Sequence, residues 1–378
     1  MKFSPIVSIQ GARQVGKSYL ARELVPVKIS DLEYFTLDHK DLRDFAENNP
    51  YSFLTQSNSR HLVIDEVQKA PALFHEMKAI VDKKRTPGKF LILGSTEFSH
   101  ETQIKESLTG RLSRIRIFPF NLAEAQKLEM NSQKRFPFLN VKPRVNRNDL
   151  LKYLERGGLP GIFIVKNESE RRSLLSDWLR LTTERDLHQI KKYKLDSDLA
   201  YKIIEQIAIQ NNSSLNQISK ELSVSVKRVQ NHIHALKTLF VIFEVSQMKG
   251  SPGKTMYYLM DVGLLSYFNA TFEKKMITWH YLELLSQLSY KGYDNLQFHY
   301  YKSTTGSIVQ LLYTLENELY ANKIIFNESY DKRDYIIFQS LQKKYVNKFK
   351  KIHCHAFFGG QHSLKHEDVG IFPWESVV

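Results

Sequence analysis

Residues 11–18 read Gly11-Ala12-Arg13-Gln14-Val15-Gly16-Lys17-Ser18, the G-x-x-x-x-G-K-[ST] spacing of a phosphate-binding loop. Glycines at the first and sixth positions let backbone N–H groups curl around a phosphate, and a helix that follows presents the positive end of its dipole. Lys17 stands where an ammonium reaches β and γ phosphates, and Ser18 where a hydroxyl serves Mg²⁺. With Tyr19 these residues are the candidate nucleotide site, and ATP and Mg are the implied ligands. A second group, Leu62-Val63-Ile64-Asp65-Glu66, is an apolar run ending in two acids, the Walker B pattern. Buried as a strand, such a run delivers its acids at the C-terminal end, beside the loop. Asp65 is then placed to hold Mg²⁺, and Glu66 to orient or deprotonate an attacking water. Phe90-Leu91-Ile92-Leu93-Gly94-Ser95-Thr96 ends in small hydroxyls. There Ser95 leads, with Thr96 in reserve, as a polar contact to the γ-phosphate or the water, and a plain turn or helix cap is the alternative. Arg111, in Thr109-Gly110-Arg111, offers a guanidinium to charge developing on a transferred phosphoryl group, in cis or from a neighbouring subunit. Arg114 and Arg116 alternate along a strand and read as solvated or paired.

These groups meet only if the elements carrying them share one sheet. Short apolar segments at 6–9, 33–37, 61–65, 89–94 and 114–118 alternate with helical spacing, the pattern of a parallel α/β sheet. Pro71 opens one helix, with Leu73, Phe74, Met77, Ile80 and Val81 at core spacing. The domains expected are an ATPase core over 1–125, a basic linker or loop over 126–148, a helical domain over 149–265 and a mixed α/β domain over 266–378.

Within the helical domain, residues 213–240 read as a helix-turn-helix. Ser214 caps the first helix, whose apolar face is Leu215, Ile218 and Leu222, and Val226, Val229, Ile233 and Leu236 continue the core stripe on the second. Strands at 241–245 and 255–259 would form a wing, with Lys249 to Lys254 at its tip. The outer face of the second helix offers Lys227, Arg228, Gln230, Asn231, His232 and His234. Lys227, Arg228, Asn231 and His232 are the candidate nucleic-acid contacts, to phosphates and base edges. A winged helix used as a packing module or lid is the competing reading.

The 378 residues are 42% hydrophobic and 25% charged, an ordinary globular balance with room for two or three domains. No run of about 18 apolar residues is present, which argues against a membrane span. The first strand follows the N-terminus directly, leaving no space for a signal peptide. One cysteine, Cys354, excludes an internal disulfide and suits a reducing cytoplasm, the expected location. The net charge of +14 raises the standing of an anionic partner, DNA among them, without requiring one. His353-Cys354-His355 lacks a second pair of Cys or His at zinc spacing, which favours an ordinary strand over a metal site.

GARQVGKS, HLVIDEVQKAP, the LGS strand end and ESLTGRLSRIRIFPFNLAE together resemble the prokaryotic AAA-type ATPases fused to a C-terminal domain of unknown function. Later segments extend the resemblance over nearly the whole chain: Gly157-Gly158-Leu159-Pro160, Glu184-Arg185-Asp186 and Asp261-Val262-Gly263-Leu264-Leu265, followed by a helix with Glu283. It implies a P-loop NTPase sheet, a winged helix and a restriction-endonuclease-like C-terminal domain. It also implies a Mg-dependent ATPase that couples nucleotide binding or hydrolysis to conformational change. The alternative is a nucleotide-gated DNA- or protein-binding protein with little hydrolysis. Family members carry a longer segment before the first strand, which helps cover the base; only Met1 to Pro5 stand there here, so base recognition is the least specified part of the site. Family members also place Glu-x-Asp and Glu-x-Lys on successive C-terminal strands. This sequence has Ile308-Val309-Gln310 and Asn327-Glu328-Ser329 at the matching places. Glu316, Glu318 and Glu328 stand at the wrong spacing, so nuclease chemistry is not expected.

Overall fold

The computed structural model describes residues 3–97, 108–128, 143–190, 192–210, 214–331 and 333–378. They divide into two compact units, Met1–Phe118 with Lys237–Val241, and Pro119–Leu236 with Ile242–Val378. Most of the expected linker, 129–142, lies outside the described residues.

The first unit is built on five strands, β1 (Ile6–Gln10), β2 (Leu32–Thr36), β3 (His61–Asp65), β4 (Phe90–Gly94) and β5 (Leu112–Arg116). All pair in parallel, in the order β2-β3-β4-β1-β5. The three central strands are buried on both faces, which is why they read as continuous apolar runs. Side chains alternate between the faces. Ile6, Leu62, Ile64, Phe90 and Ile92 pack on Phe53, Phe74 and Met77, whereas Val7, Ile9, Val63, Leu91 and Leu93 pack around Ala21. The parallel sense brings the C-terminal ends of β1, β3 and β4 to one edge. Since β4 lies between β1 and β3, Ser95 emerges between the loop and the two acids.

The second unit joins helices to an eight-stranded sheet. Its strands are β6 (Ile242–Gln247), β7 (Met256–Leu259), β8 (His299–Lys302), β9 (Ile308–Leu315), β10 (Glu318–Ile324), β11 (Lys351–Phe358), β12 (Leu364–His366) and β13 (Val369–Pro373). The order is β12-β13-β11-β10-β9-β8-β6-β7. The hairpin expected as a wing is present, but β6 also pairs in parallel with β8, Ser246 opposite His299 and Gln247 opposite Tyr300. These strands therefore belong to the large sheet. The boundary expected at 265/266 falls inside this unit. Asn327-Glu328-Ser329 lies past the end of β10. The Gln310 amide bonds the Ile324 backbone of β10 at both its N–H (2.9 Å) and its C=O (3.2 Å).

Two buried carboxylates tie distant segments of this unit together. Asp261 accepts from the N–H of Gly158 at 2.6 Å and of Gly263 at 2.8 Å. A Cβ on Gly157 would fall 2.1 Å from Asp261 Oδ1, and one on Gly158 would fall 2.1 Å from the Phe120 carbonyl. The two glycines are thus demanded by close backbone approach, and Gly157-Gly158 and Asp261-Val262-Gly263 are two halves of one joint. Glu283, on the helix Phe272–Tyr290, accepts from Leu122 N–H and from the Gln287 amide, each at 2.8 Å. It thereby supplements the capping box of Asn121 and Glu124.

Burial, the largest cause, pushes Asp261 up to about 6 and Glu283 up to about 7. Folded-state values above the ordinary carboxylate range mean that the folded chain binds more protons than the unfolded chain through that interval. Stability from these groups therefore falls as pH rises from about 4 to about 7. Glu283→Gln keeps an acceptor but removes one titration. It is expected to flatten that decline, measured as the urea-unfolding free energy at about pH 5 and about pH 7.

Candidate nucleotide site

The chain leaves β1 at Gln10 and turns at once. A Cβ on Gly11 would lie 2.2 Å from the Ile117 carbonyl, so the first loop position admits only glycine. Gln14 (φ 62°) and Gly16 (φ 96°) are both left-handed, and the helix Lys17–Tyr19 then starts, continuing over Leu20–Leu24 with a Val25 N–H to Leu20 C=O bond of 2.9 Å. Lys17 is buried, and its Nζ donates to the carbonyls of Gly11 (2.9 Å) and Ala12 (2.7 Å). Its ammonium is held inside the loop rather than in solvent.

Asp65 closes β3 opposite. Ser18 Oγ donates to its Oδ2 at 2.5 Å, as does the Tyr34 hydroxyl at 2.5 Å, while Oδ1 accepts the Glu66 N–H at 2.9 Å. Burial and the adjacent Asp65 carboxylate raise the Tyr34 hydroxyl above its ordinary range, so it stays a donor. The Arg22 guanidinium lies over the Tyr34 ring at 5.8 Å. Glu66 has left-handed backbone, φ 56°, a strained state for a residue with a Cβ. Its Oε2 accepts from Ser95 Oγ at 3.2 Å and from the Gln68 amide, which also reaches Ser95 Oγ at 3.3 Å.

Lys17, Ser18, Asp65, Glu66 and Ser95 are therefore gathered at one sheet edge. Arg111 is not. The Ile6 N–H donates to its carbonyl at 3.1 Å, so Arg111 sits where β1 begins, about 16 Å along the strand from the loop at the usual rise per residue. Its guanidinium is paired with Asp82 at 2.6 Å, which excludes contact with this chain's own loop. Position along the chain says nothing about which edge of a sheet a residue reaches. Thr96 is buried beside Ser95, and Tyr19 is 64% exposed.

Tyr34 and Gln68 were not singled out from the sequence. A tyrosine on a strand and a glutamine in a turn are commonplace, and only the adjacency of β2 to β3 identifies the first. Gln68, two residues after Glu66 in Asp-Glu-x-Gln, carried a weak local signal.

The candidate nucleic-acid helix, Val226–Thr238, follows Leu215–Glu221 as expected. Lys227 and Arg228 are exposed and Asn231 is half-buried. His232 is not an outer residue: it is 1% exposed, with Nδ1 on the Arg228 carbonyl at 2.7 Å and Nε2 accepting the Asp196 N–H at 2.9 Å. Arg228 lies 3.7 Å from Asp196. Val226, expected in the core stripe, is 41% exposed. His353 and His355 share a strand but engage different partners, Glu318 at 2.8 Å and Asn322 at 3.2 Å.

Residues 3–126 match the family model described as an AAA domain. The match covers the N-terminal unit's sheet and supports reading that unit as an AAA domain. Residues 147–275 match a second model, a domain of unknown function (DUF8612). The chain is 23% identical over 270 residues to an uncharacterised protein of Mycobacterium tuberculosis, covering 69% of this chain and 55% of that protein. It is 24% identical over 255 residues to an uncharacterised protein of Methanocaldococcus jannaschii, covering 62% and 55%. The chain thus spans about half the length of the curated relatives it matches. Among solved structures, the Bacillus subtilis DNA clamp loader delta protein is similar with a TM-score of 0.27 and 11% identity, over 62% of this chain and 84% of that one. That likeness is too slight to argue from. No helix among the described residues is long and apolar enough to cross a membrane.

Ser18 and Tyr34 donate to the same Asp65 oxygen, so removing either strengthens the hold of the other. Ser18→Ala and Tyr34→Phe are each expected to cost about 1 kcal/mol. The double variant should depart from their sum by about 0.5–1 kcal/mol, measured as a double-mutant cycle of urea-unfolding free energies.

Proposed function

We propose that the N-terminal unit binds ATP with Mg²⁺ and hydrolyses it, and that the change in bound phosphate is passed on as a conformational change. The observation that carries this reading is the convergence of Ser18 and Asp65, 2.5 Å apart, beside a loop that encloses the Lys17 ammonium. A hydroxyl and a carboxylate are hard oxygen donors of the kind Mg²⁺ takes in phosphate sites, so Ser18 and Asp65 suit that ion. Mg²⁺, when bound there, would supply neutralisation of the phosphate charge.

The chain's own residues account for the rest. Residues 11–19 cradle the phosphates through their backbone, and Lys17 exchanges its carbonyl partners for phosphate oxygens. Tyr34 keeps the Asp65 carboxylate oriented. Glu66 Oε2 is engaged by Ser95 and Gln68, which lowers its basicity, so it accepts a water proton more readily when those donors turn elsewhere. A γ-phosphate offers Ser95 such an acceptor. Nucleotide occupancy and the release of Glu66 are then one event, which gives the conformational coupling a local origin.

The test is steady-state phosphate release with fluorescent-ATP binding in parallel. Lys17→Ala is expected to abolish binding and turnover. Glu66→Gln is expected to keep binding while lowering turnover about 100-fold or more. Wild-type turnover no higher than that of Lys17→Ala, or turnover indifferent to chelation of Mg²⁺, would refute hydrolysis by this site.

A further inference from the structure

The positive charge of this chain is unevenly spread. Between Asp334 and Glu367 no acidic residue occurs, and none occurs between Glu244 and Asp261. The first stretch contains Lys343, Lys344 and Lys348, and the second Lys249 and Lys254; all five are exposed.

The fold brings these two stretches together. Lys344 Nζ donates to the Gly250 carbonyl, and the Tyr345 hydroxyl donates to the Lys249 carbonyl at 2.9 Å. The loop 248–254 is fixed from its other side as well. Ser251 Oγ bonds the Lys302 N–H and C=O at 2.8 and 3.0 Å, and the Tyr300 hydroxyl bonds both backbone groups of Lys254 at 2.8 and 2.9 Å. The lysines therefore project from an ordered platform. Among the described residues none of the five forms an ion pair. Glu367 and Asp368 accept from Tyr335 and Gln342, and Glu318 is engaged by His353, rather than by any of these lysines.

We propose that this platform, Lys249, Lys254, Lys343, Lys344 and Lys348, binds the phosphate backbone of double-stranded nucleic acid. Five exposed cations, none of them in an ion pair among the described residues, raise the local potential, and a polyanion bound there gains by releasing its own counterions. A membrane surface fits less well. The helix Arg333–Tyr345 spends Tyr335, Ile337, Phe338, Leu341 and Tyr345 on the core. The apolar side chains it leaves exposed, Ile336 and the following Val346, stand ten residues apart rather than forming a face that could enter a bilayer. Single strands fit less well too, because they require exposed rings on which bases stack. The rings of this platform, Tyr300, Tyr301 and Tyr345, are buried. What remains is a set of point charges suited to phosphates, which implies binding indifferent to sequence. The surface is distinct from the Lys227–Arg228 helix and independent of the nucleotide reading.

The test is the affinity of the full chain for a labelled duplex of about 20 base pairs, measured by anisotropy from about 50 to about 200 mM salt. The variants are Lys343→Gln/Lys344→Gln/Lys348→Gln, Lys249→Gln/Lys254→Gln/Lys348→Gln, which spares the Lys344 contact, and Lys227→Gln/Arg228→Gln. Each platform variant is expected to lose tenfold or more in affinity and to reduce the slope of log K against log salt by about 2–3. The helix variant is expected to change neither. The proposal is overturned if wild type does not bind duplex, or if only the helix variant loses affinity. It is equally overturned if folded platform variants, judged by unchanged circular dichroism, keep the wild-type slope, or if the platform charges matter for anionic phosphatidylserine vesicles and not for duplex.

Discussion

The carboxylate of Asp65 is the point on which the nucleotide edge of the first sheet depends. It accepts from Ser18 and Tyr34 at one oxygen and from the Glu66 backbone at the other. Those donors come from the loop after β1, from β2 and from the turn after β3. Parallel pairing is what makes this possible, because it brings the ends of those strands to the same edge. In an alternating antiparallel arrangement β4 would run against both β1 and β3, and Ser95 would be carried to the edge opposite Lys17 and Asp65. The strained backbone at Glu66 follows from the same geometry. Glu66 must turn sharply after a carboxylate already fixed in place, and its side chain is then directed toward Ser95.

The second unit applies related chemistry to a different purpose. Asp261 and Glu283 are buried and accept backbone N–H groups, but neither stands at a sheet edge that gathers other reactive groups. Asp261 joins the turn at Gly158 to the start of the helix Val262–Tyr267, and Glu283 fastens the helix Leu122–Ala125. Removing either carboxylate would leave buried N–H groups unsatisfied, at a cost of about 1–3 kcal/mol each. The pairing of Gly157-Gly158 with Asp261-Val262-Gly263 is thus explained by contact. A side chain at Gly157 or Gly158 would occupy space already taken by Asp261 or by the Phe120 carbonyl.

What could be read from the sequence was whatever backbone geometry writes into residue type. The phosphate loop needs Gly11 because the Ile117 carbonyl leaves no space for a Cβ, and the central strands need unbroken apolar runs because both faces are covered. Contacts between side chains from distant segments leave no such mark. Tyr34 looks like any strand tyrosine until β2 is placed beside β3. His232 falls on the helical period of either a surface or a core residue. It is committed to the interior by Asp196, whose N–H it accepts from across the fold. The hairpin of β6 and β7 was legible from its apolar alternation, but its absorption into the large sheet turns on only two residue pairs with β8. Arg111 lies apart from this chain's own loop for a different reason: strand direction, not strand identity, decides which edge a terminal residue occupies.

The far sheet shows how polar groups can be absorbed by the fold itself. Where the resemblance to metal-dependent nucleases implied an acid, Gln310 bonds both backbone groups of Ile324. An acid there could accept from the N–H but could not donate to the C=O, so the amide serves the sheet better than a carboxylate would. On β10, Asn322 Oδ1 is engaged by the His355 ring at 3.2 Å. Side chains used by the sheet in this manner are not available to activate water. The exposed cations of this unit lie elsewhere, around a loop whose backbone Tyr300, Tyr345 and Ser251 hold at Lys254, Lys249 and Ser251. Lys344 is fastened to that loop through the Gly250 carbonyl, and the Lys348 ammonium lies over the Tyr345 ring at 5.3 Å. Cations anchored on a fixed loop meet phosphates and no base edge, which is the arrangement a sequence-indifferent contact requires.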